Sequence, residues 1–175
     1  MMKTMNVDHF DIDSIASLYE ARQYSECYEY AKIVCDLLGH SSPWLNWVQG
    51  VCQDMLGNPF EGLLLFKKAL EGDPYNYTYT NALHTNLGIF RNELVSALSH
   101  DGTLPYVQRI HKSLVDAGEF SSTHQYLVAK NYIKNLKFND AREILQVFLM
   151  NNPKDQEALK LDQMINKSSS KSMAS

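Results

Sequence analysis

Apolar residues recur every three or four positions along this chain, and proline, glycine and small polar residues interrupt them at intervals. From Pro43 to Pro74 the pattern predicts two helices joined at Gly57-Asn58-Pro59. Gly50 stands midway along the first, and Gly62, Phe66 and Ala69 share one face of the second. Asp73-Pro74 ends that helix, because proline disfavours helical geometry in the residue before it. His124 to Pro153 repeats the unit. Ala129 answers Gly50, Ala141 answers Gly62, Leu145 answers Phe66 and Pro153 answers Pro74, every pair 79 residues apart. One offset held through both helices marks an internal repeat, since chance matches would not share it.

The remaining segments extend this pattern. Ile12, Ile15, Ala16 and Tyr19 form an apolar helix face, Arg22-Gln23 a turn, and Tyr24, Cys27, Ala31 and Val34 a second face. That second helix runs long, into the loop Gly39-His40-Ser41-Ser42-Pro43. From Asn76 to Ser99, Leu83, Leu87, Phe90, Leu94 and Leu98 make a continuous stripe, which predicts one long helix. His100-Asp101-Gly102 turns the chain. Thr103 can cap the next helix, with Pro105 in its first turn where a missing N–H costs nothing. Tyr106, Val107, Ile110, Leu114 and Val115 follow, and Gly118 closes the helix. Beyond Pro153, Ala158, Leu161 and Ile165 give a last helix a single apolar face, as a capping helix needs. The polar tail, residues 168–175, is expected to lack fixed structure. The expected protein is all-α, with about nine helices and no sheet.

A helix-turn-helix with small residues at its crossing, ending in Ala69-Leu70-Glu71-Gly72-Asp73-Pro74, resembles a tetratricopeptide repeat. Ala16 lies 34 residues before Gly50, the usual period of that family. The resemblance covers residues 8–167 and implies one α-solenoid domain of about four repeats plus a cap. It also implies a concave groove holding a peptide or helix of a partner protein. The 79-residue offset then contains one ordinary repeat and one lengthened by eleven residues, about three helical turns. Gly50-Val51-Cys52-Gln53 with Leu56-Gly57 is similar to the second repeat of class II chaperones of bacterial type III secretion, which implies a hold on an apolar client segment. Another branch of the family grips acidic C-terminal peptides with lysine and asparagine. The corresponding places here hold Ile12, Ala16, Val48, Thr78 and Ala82, so that clamp is not expected.

Composition narrows the function. The 175 residues carry a net charge of -4 and are 45% hydrophobic, with a pI near 5.8. A general nucleic-acid surface needs clustered Lys and Arg and is not expected. Cys27, Cys35 and Cys52 are odd in number and form no CxxC, which suits a reducing compartment. The opening residues lack the apolar run of a secretory signal, and the longest apolar run, Leu63 to Phe66, cannot span a bilayer. The expectation is a cytoplasmic protein without membrane insertion. No glycine-rich phosphate loop, GxSxG or HExxH is present, and the six histidines stand at no ligand spacing. Neither catalysis, metal nor cofactor is expected. Glu26 and Glu29 read as a solvated helix face.

The candidate residues are therefore those of a protein-binding groove. In the register set by Gly50, Trp44, Trp47, Val51 and Met55 line it, and Gln49 and Gln53 turn toward a neighbouring helix, a costly place for amides. A register shifted by two instead puts Trp44, Trp47, Val48 and Val51 in the core. Asn81 and Thr85 supply polar positions on the long helix, where Tyr75, Tyr77 and Tyr79 offer aromatic contacts or packing between repeats. Tyr126, Lys130, Ile133 and Lys134 form a basic, partly aromatic counterpart in the fourth unit. Leu94, Val95 and Leu98 have two readings. Either they project as an interface for a second copy or a partner, or the helix from Thr103 folds back over them, anchored by Tyr106, Val107 and Ile110.

Overall fold

The computed structural model describes residues 12–172, with side chains through Lys167. Its helices are α1 (Ile12–Glu20), α2 (Tyr24–Leu38), α3 (Pro43–Met55), α4 (Pro59–Gly72), α5 (Tyr77–Ala97), α6 (Leu104–Asp116), α7 (Ser122–Lys134), α8 (Phe138–Asn151) and α9 (Gln156–Ser172). No strand occurs among the described residues. The expected all-α class is thus met, including the single long helix at α5. Residues 8–11 and 173–175 lie outside the described residues, while α9 continues to Ser172, inside the tail expected to be without structure.

The chain divides into two compact units, Met1–Asn86 and Leu87–Ser175, with the boundary inside α5. In the first unit α1 packs on α2, α2 on α3, and α3 on α4. Ile15, Cys27, Ala31, Val34, Leu45, Val48 and Cys52 form one buried cluster. Gly50 is there because Phe66 is: a Cβ at Gly50 would stand 2.6 Å from the ring. Ser42 caps α3 by accepting the Leu45 N–H at 3.2 Å, and Pro43 occupies the first turn. In the second unit α6 packs on α7, α7 on α8, and α8 on α9, around fully buried Phe90, Leu94, Ile110, Leu114, Val128 and Leu145.

The repeat holds in three dimensions and reaches a third helix. Pro43 and Ser122, Pro59 and Phe138, and Tyr77 and Gln156 open corresponding helices, each pair 79 residues apart. The helix ends agree too: Met55 with Lys134, and Gly72 with Asn151. Both tight turns are closed by the same bonds, Asn58 N–H to Gln53 O and Lys137 N–H to Tyr132 O, both 2.8 Å. Each turn needs a left-handed residue, supplied by Gly57 in one and by Leu136, at φ 60°, in the other. The turn after α1 has the same form, with Arg22 at φ 58°. The third pair of helices is capped alike: Asn76 Oδ1 accepts the Thr78 N–H at 3.0 Å, and Asp155 Oδ1 accepts the Ala158 N–H at 2.9 Å.

Candidate functional site

The register on α3 follows Gly50. Leu45, Val48, Gly50 and Cys52 are buried, Trp44, Trp47 and Val51 are half-buried, and Met55 is exposed. Of the four positions that the shifted register puts in the core, only Val48 is buried. Gln49 and Gln53 do turn inward, and they have partners there. Gln49 Nε2 donates to Cys35 Sγ at 3.3 Å, and Gln53 Oε1 accepts from Asn58 Nδ2 at 2.9 Å. Partnered amides can be buried at small net cost, which is why α3 keeps this face inward.

Trp44 and Trp47 lie against the edge of the buried cluster. Trp47 joins an aromatic row. Its ring centroid is 5.8 Å from that of Tyr19 on α1 and 6.2 Å from that of Tyr79 on α5, and Tyr24 adds to the row at 6.3 Å from Tyr19. The three tyrosines at the start of α5 therefore separate. Tyr79 is buried in this row, while Tyr75 and Tyr77 are almost wholly in solvent. Asn81 and Thr85 are exposed, and the Thr85 hydroxyl donates to the Asn81 carbonyl at 2.9 Å.

Beneath this face lies a polar cluster that the hydrophobic pattern does not reveal. Asn86, fully buried, donates from Nδ2 to Asp54 Oδ1 at 2.7 Å and to the Pro59 carbonyl at 2.9 Å. Burial pushes the Asp54 carboxyl up to about 6, and the Asn86 bond only partly offsets this. Gly62 makes room for the cluster, since a Cβ there would run into the Asp54 carboxylate. A signal existed in the repeat: 79 residues on, Asp54, Gly62 and Asn86 become Ile133, Ala141 and Ile165. Cys27 and Cys52 sit close together in the same unit, both fully buried, and burial pushes the Cys52 thiol up to about 12.

In the second unit the expected groove residues are largely taken up by the fold. Lys134 donates to the Ala97 carbonyl at 3.2 Å and to that of His100, and pairs with Asp101 at 3.4 Å. It caps the C-terminus of α5, whose carbonyl end attracts a cation, so it is not a free binding group. Tyr126 donates its hydroxyl to Glu157 at 2.7 Å and stacks on Phe148 with centroids 5.6 Å apart. Lys130 lies 5.3 Å from the Tyr126 ring centre, and Ile133 is half-buried.

The projecting-stripe reading of Leu94, Val95 and Leu98 is corrected here. Leu94 is fully buried, Leu98 is half-buried and only Val95 is exposed. The fold-back reading fits: Val107 and Ile110 of α6 are fully buried, and the Glu93 carboxylate on α5 lies close enough to Tyr106 to help burial raise its phenol. From α7, Asn131 Nδ2 donates to the Leu94 carbonyl at 2.9 Å and the His124 Nε2 meets the Leu87 carbonyl at 3.2 Å. The other His124 nitrogen faces Ser121 Oγ at 2.8 Å, and burial lowers the affinity of this imidazole for a proton. His111, beside Phe120 and bonded to the Tyr132 hydroxyl at 2.9 Å, is shifted the same way by burial.

Among the described residues no three His, Cys, Asp or Glu side chains converge as a metal site would require. No described helix is long and apolar enough to cross a membrane. Comparison with family models, with curated proteins and with solved structures gave no match.

Proposed function

We propose that this protein is a non-catalytic cytoplasmic adaptor that binds a segment of a partner protein, on a tetratricopeptide-like solenoid of four repeats and a capping helix. The observation that carries the reading is the face shared by α1, α3 and the first half of α5. It holds half-buried Trp44, Trp47 and Val51 and exposed Met55, over a buried base. Large aromatic and methionine side chains left at a surface are what protein recognition uses. Asn81 and Thr85 are its polar rim. Affinity capture from the native cell, comparing the wild-type chain with the Trp44→Ala, Met55→Ala double variant, tests it. Loss of a stoichiometric partner from a variant that keeps its helicity is expected. An unchanged set of captured proteins would overturn the reading.

A second reading, a secretion chaperone holding an apolar client segment, is favoured by the uncharged α3 face and by the Gly50-Val51-Cys52-Gln53 resemblance. An encoding locus beside secretion genes would select it.

A further inference from the structure

We propose that the face of α1, α3 and the first half of α5 takes a basic segment of its protein partner, with lysine or arginine side chains laid against the half-buried rings of Tyr19 and Trp47. This rests on the reading of that face as protein-binding and names the chemistry of what it binds.

The charges are segregated in a way that sets this preference. Up to Asn86 the chain holds five Lys and Arg against eleven Asp and Glu, a net -6, whereas the second unit holds eleven against nine, a net +2. Within the first unit, α1, α3 and residues 77–86 of α5 carry no lysine or arginine at all. The described basic residues of that unit are Arg22 in a turn, Lys32 on α2, and Lys67 and Lys68 on α4. The helices bearing the aromatic row therefore offer exposed carboxylates, Asp13 and Glu20, with no cation of their own to neutralise them. Asp73 stands at the other end of the row, where its charge adds to burial in raising the Tyr79 phenol.

Aromatic ring faces attract cations, Trp most strongly, and Arg stacks on them without losing its hydrogen bonds. The second unit shows the pairing within its own chain, where Lys130 lies over Tyr126, the residue 79 positions beyond Trp47. In the first unit the equivalent of Lys130 is Val51, so the Trp47 ring has no such cation from α3. A partner that brings the cation completes the arrangement. An acidic segment would bring like charge to a unit that already carries a net -6.

The test uses the full-length chain and three labelled synthetic peptides of equal length and equal Leu and Met content, whose remaining positions are Lys/Arg, Glu or Gln. Binding is followed by anisotropy at 50 and 300 mM NaCl. The basic peptide should bind at least about tenfold tighter than the acidic one, and lose affinity as salt rises. The Asp13→Asn, Glu20→Gln double variant, whose altered groups are both exposed, should weaken the basic peptide by about fivefold, and Trp47→Leu by more. The Glu26→Gln, Glu29→Gln variant removes equal charge from α2 and should leave binding unchanged. Equal loss in both double variants would mean unspecific attraction and overturn the proposal. Equal binding of all three peptides would overturn it too, while leaving the protein-binding reading intact. No binding by any peptide would count against both.

Discussion

Helices α3, α4 and the first half of α5 have the same layout as α7, α8 and α9, but the two sets are filled differently. In the first, Asp54 and Asn86 meet across a gap opened by Gly62. In the second the same positions hold Ile133, Ile165 and Ala141. One arrangement of helices accepts either a polar or an apolar centre, provided the facing position on the second helix gives up volume to match. The surfaces differ in the same spirit. Lys130 and Lys134 of α7 are spent on Tyr126 and on the end of α5, whereas their equivalents on α3, Val51 and Met55, are committed to no such contact. The repeat that kept its surface uncommitted is the one to which a binding role is assigned.

The widest gap between the repeats should open at Gly62. Gly62→Leu is expected to destabilise by about 3 kcal/mol or more and Gly62→Ala by about 1–3 kcal/mol, despite alanine's better helix propensity. Ala141→Leu, in an apolar setting, should cost about 1–3 kcal/mol through overpacking alone. Transplanting the second repeat's solution, Asp54→Ile with Asn86→Ile and Gly62→Ala, should recover at least half of the Gly62→Ala loss in urea denaturation. A triple variant no more stable than Gly62→Ala would mean that the glycine serves something other than the Asp54 carboxylate.

A smaller difference is expected in acid. Asp54 titrates near 6 in the folded chain against a model-peptide value of 3.8, so the folded state holds this proton more tightly. Its contribution favours folding fully below about pH 4 and is lost as pH rises through about 6. A shift of that size would be worth about 3 kcal/mol for an enclosed group, and partial exposure cuts the expectation to about 1–2 kcal/mol. Asp54→Asn keeps an acceptor for Asn86 and should flatten the stability profile between pH 4 and 7. The second repeat, with Ile133 at that place, has no such titration. If wild type and variant give parallel profiles, Asp54 is not buried as described.

How much of this was legible beforehand follows from what periodicity records. Spacing of apolar residues located every helix, because burial of one face is what forms them, and the 79-residue offset located the repeat. Periodicity is blind to partnered polar groups. Asp54 and Asn86 read as solvent-facing in any hydrophobic pattern, and Gln49 and Gln53 as misplaced, until Asn58 and Cys35 are seen to satisfy the amides. Lys134 read as a binding group because a sequence does not show that the carbonyls of Ala97 and His100 lie within its reach. Leu94 stays open between an interface and a covered position, because periodicity does not record whether a following helix returns over it.

That internal use of Lys134 sets the next contrast. Lys134→Met gives α7 the residue that α3 carries as Met55, and removes both the carbonyl contacts and the pair with Asp101. The expected loss is about 1 kcal/mol, from an unneutralised helix end and an ion pair whose Asp101 side is fully exposed. Protection of the last amides of α5 from hydrogen exchange should fall with it. Unchanged exchange at α5 would show that the ammonium adds nothing to that terminus.

The smallest effect separates the two turns. Gly57 and Leu136 occupy the same left-handed position, at φ 81° and φ 60°. A residue with a side chain is strained there, because Cβ crowds the backbone, while glycine is not. Leu136 is mostly exposed, so its side chain contributes little packing in return. Leu136→Gly should therefore stabilise the chain by about 0.5–1 kcal/mol, the strain relieved outweighing the extra freedom glycine gains on unfolding. Gly57→Leu should lose a similar amount, since a Cβ at Gly57 meets nothing within 4 Å and only the backbone conformation opposes it. Two opposite and nearly equal shifts in denaturation midpoint would show that the turns are equivalent. A destabilised Leu136→Gly would instead mean that the leucine makes a contact that outweighs its strain.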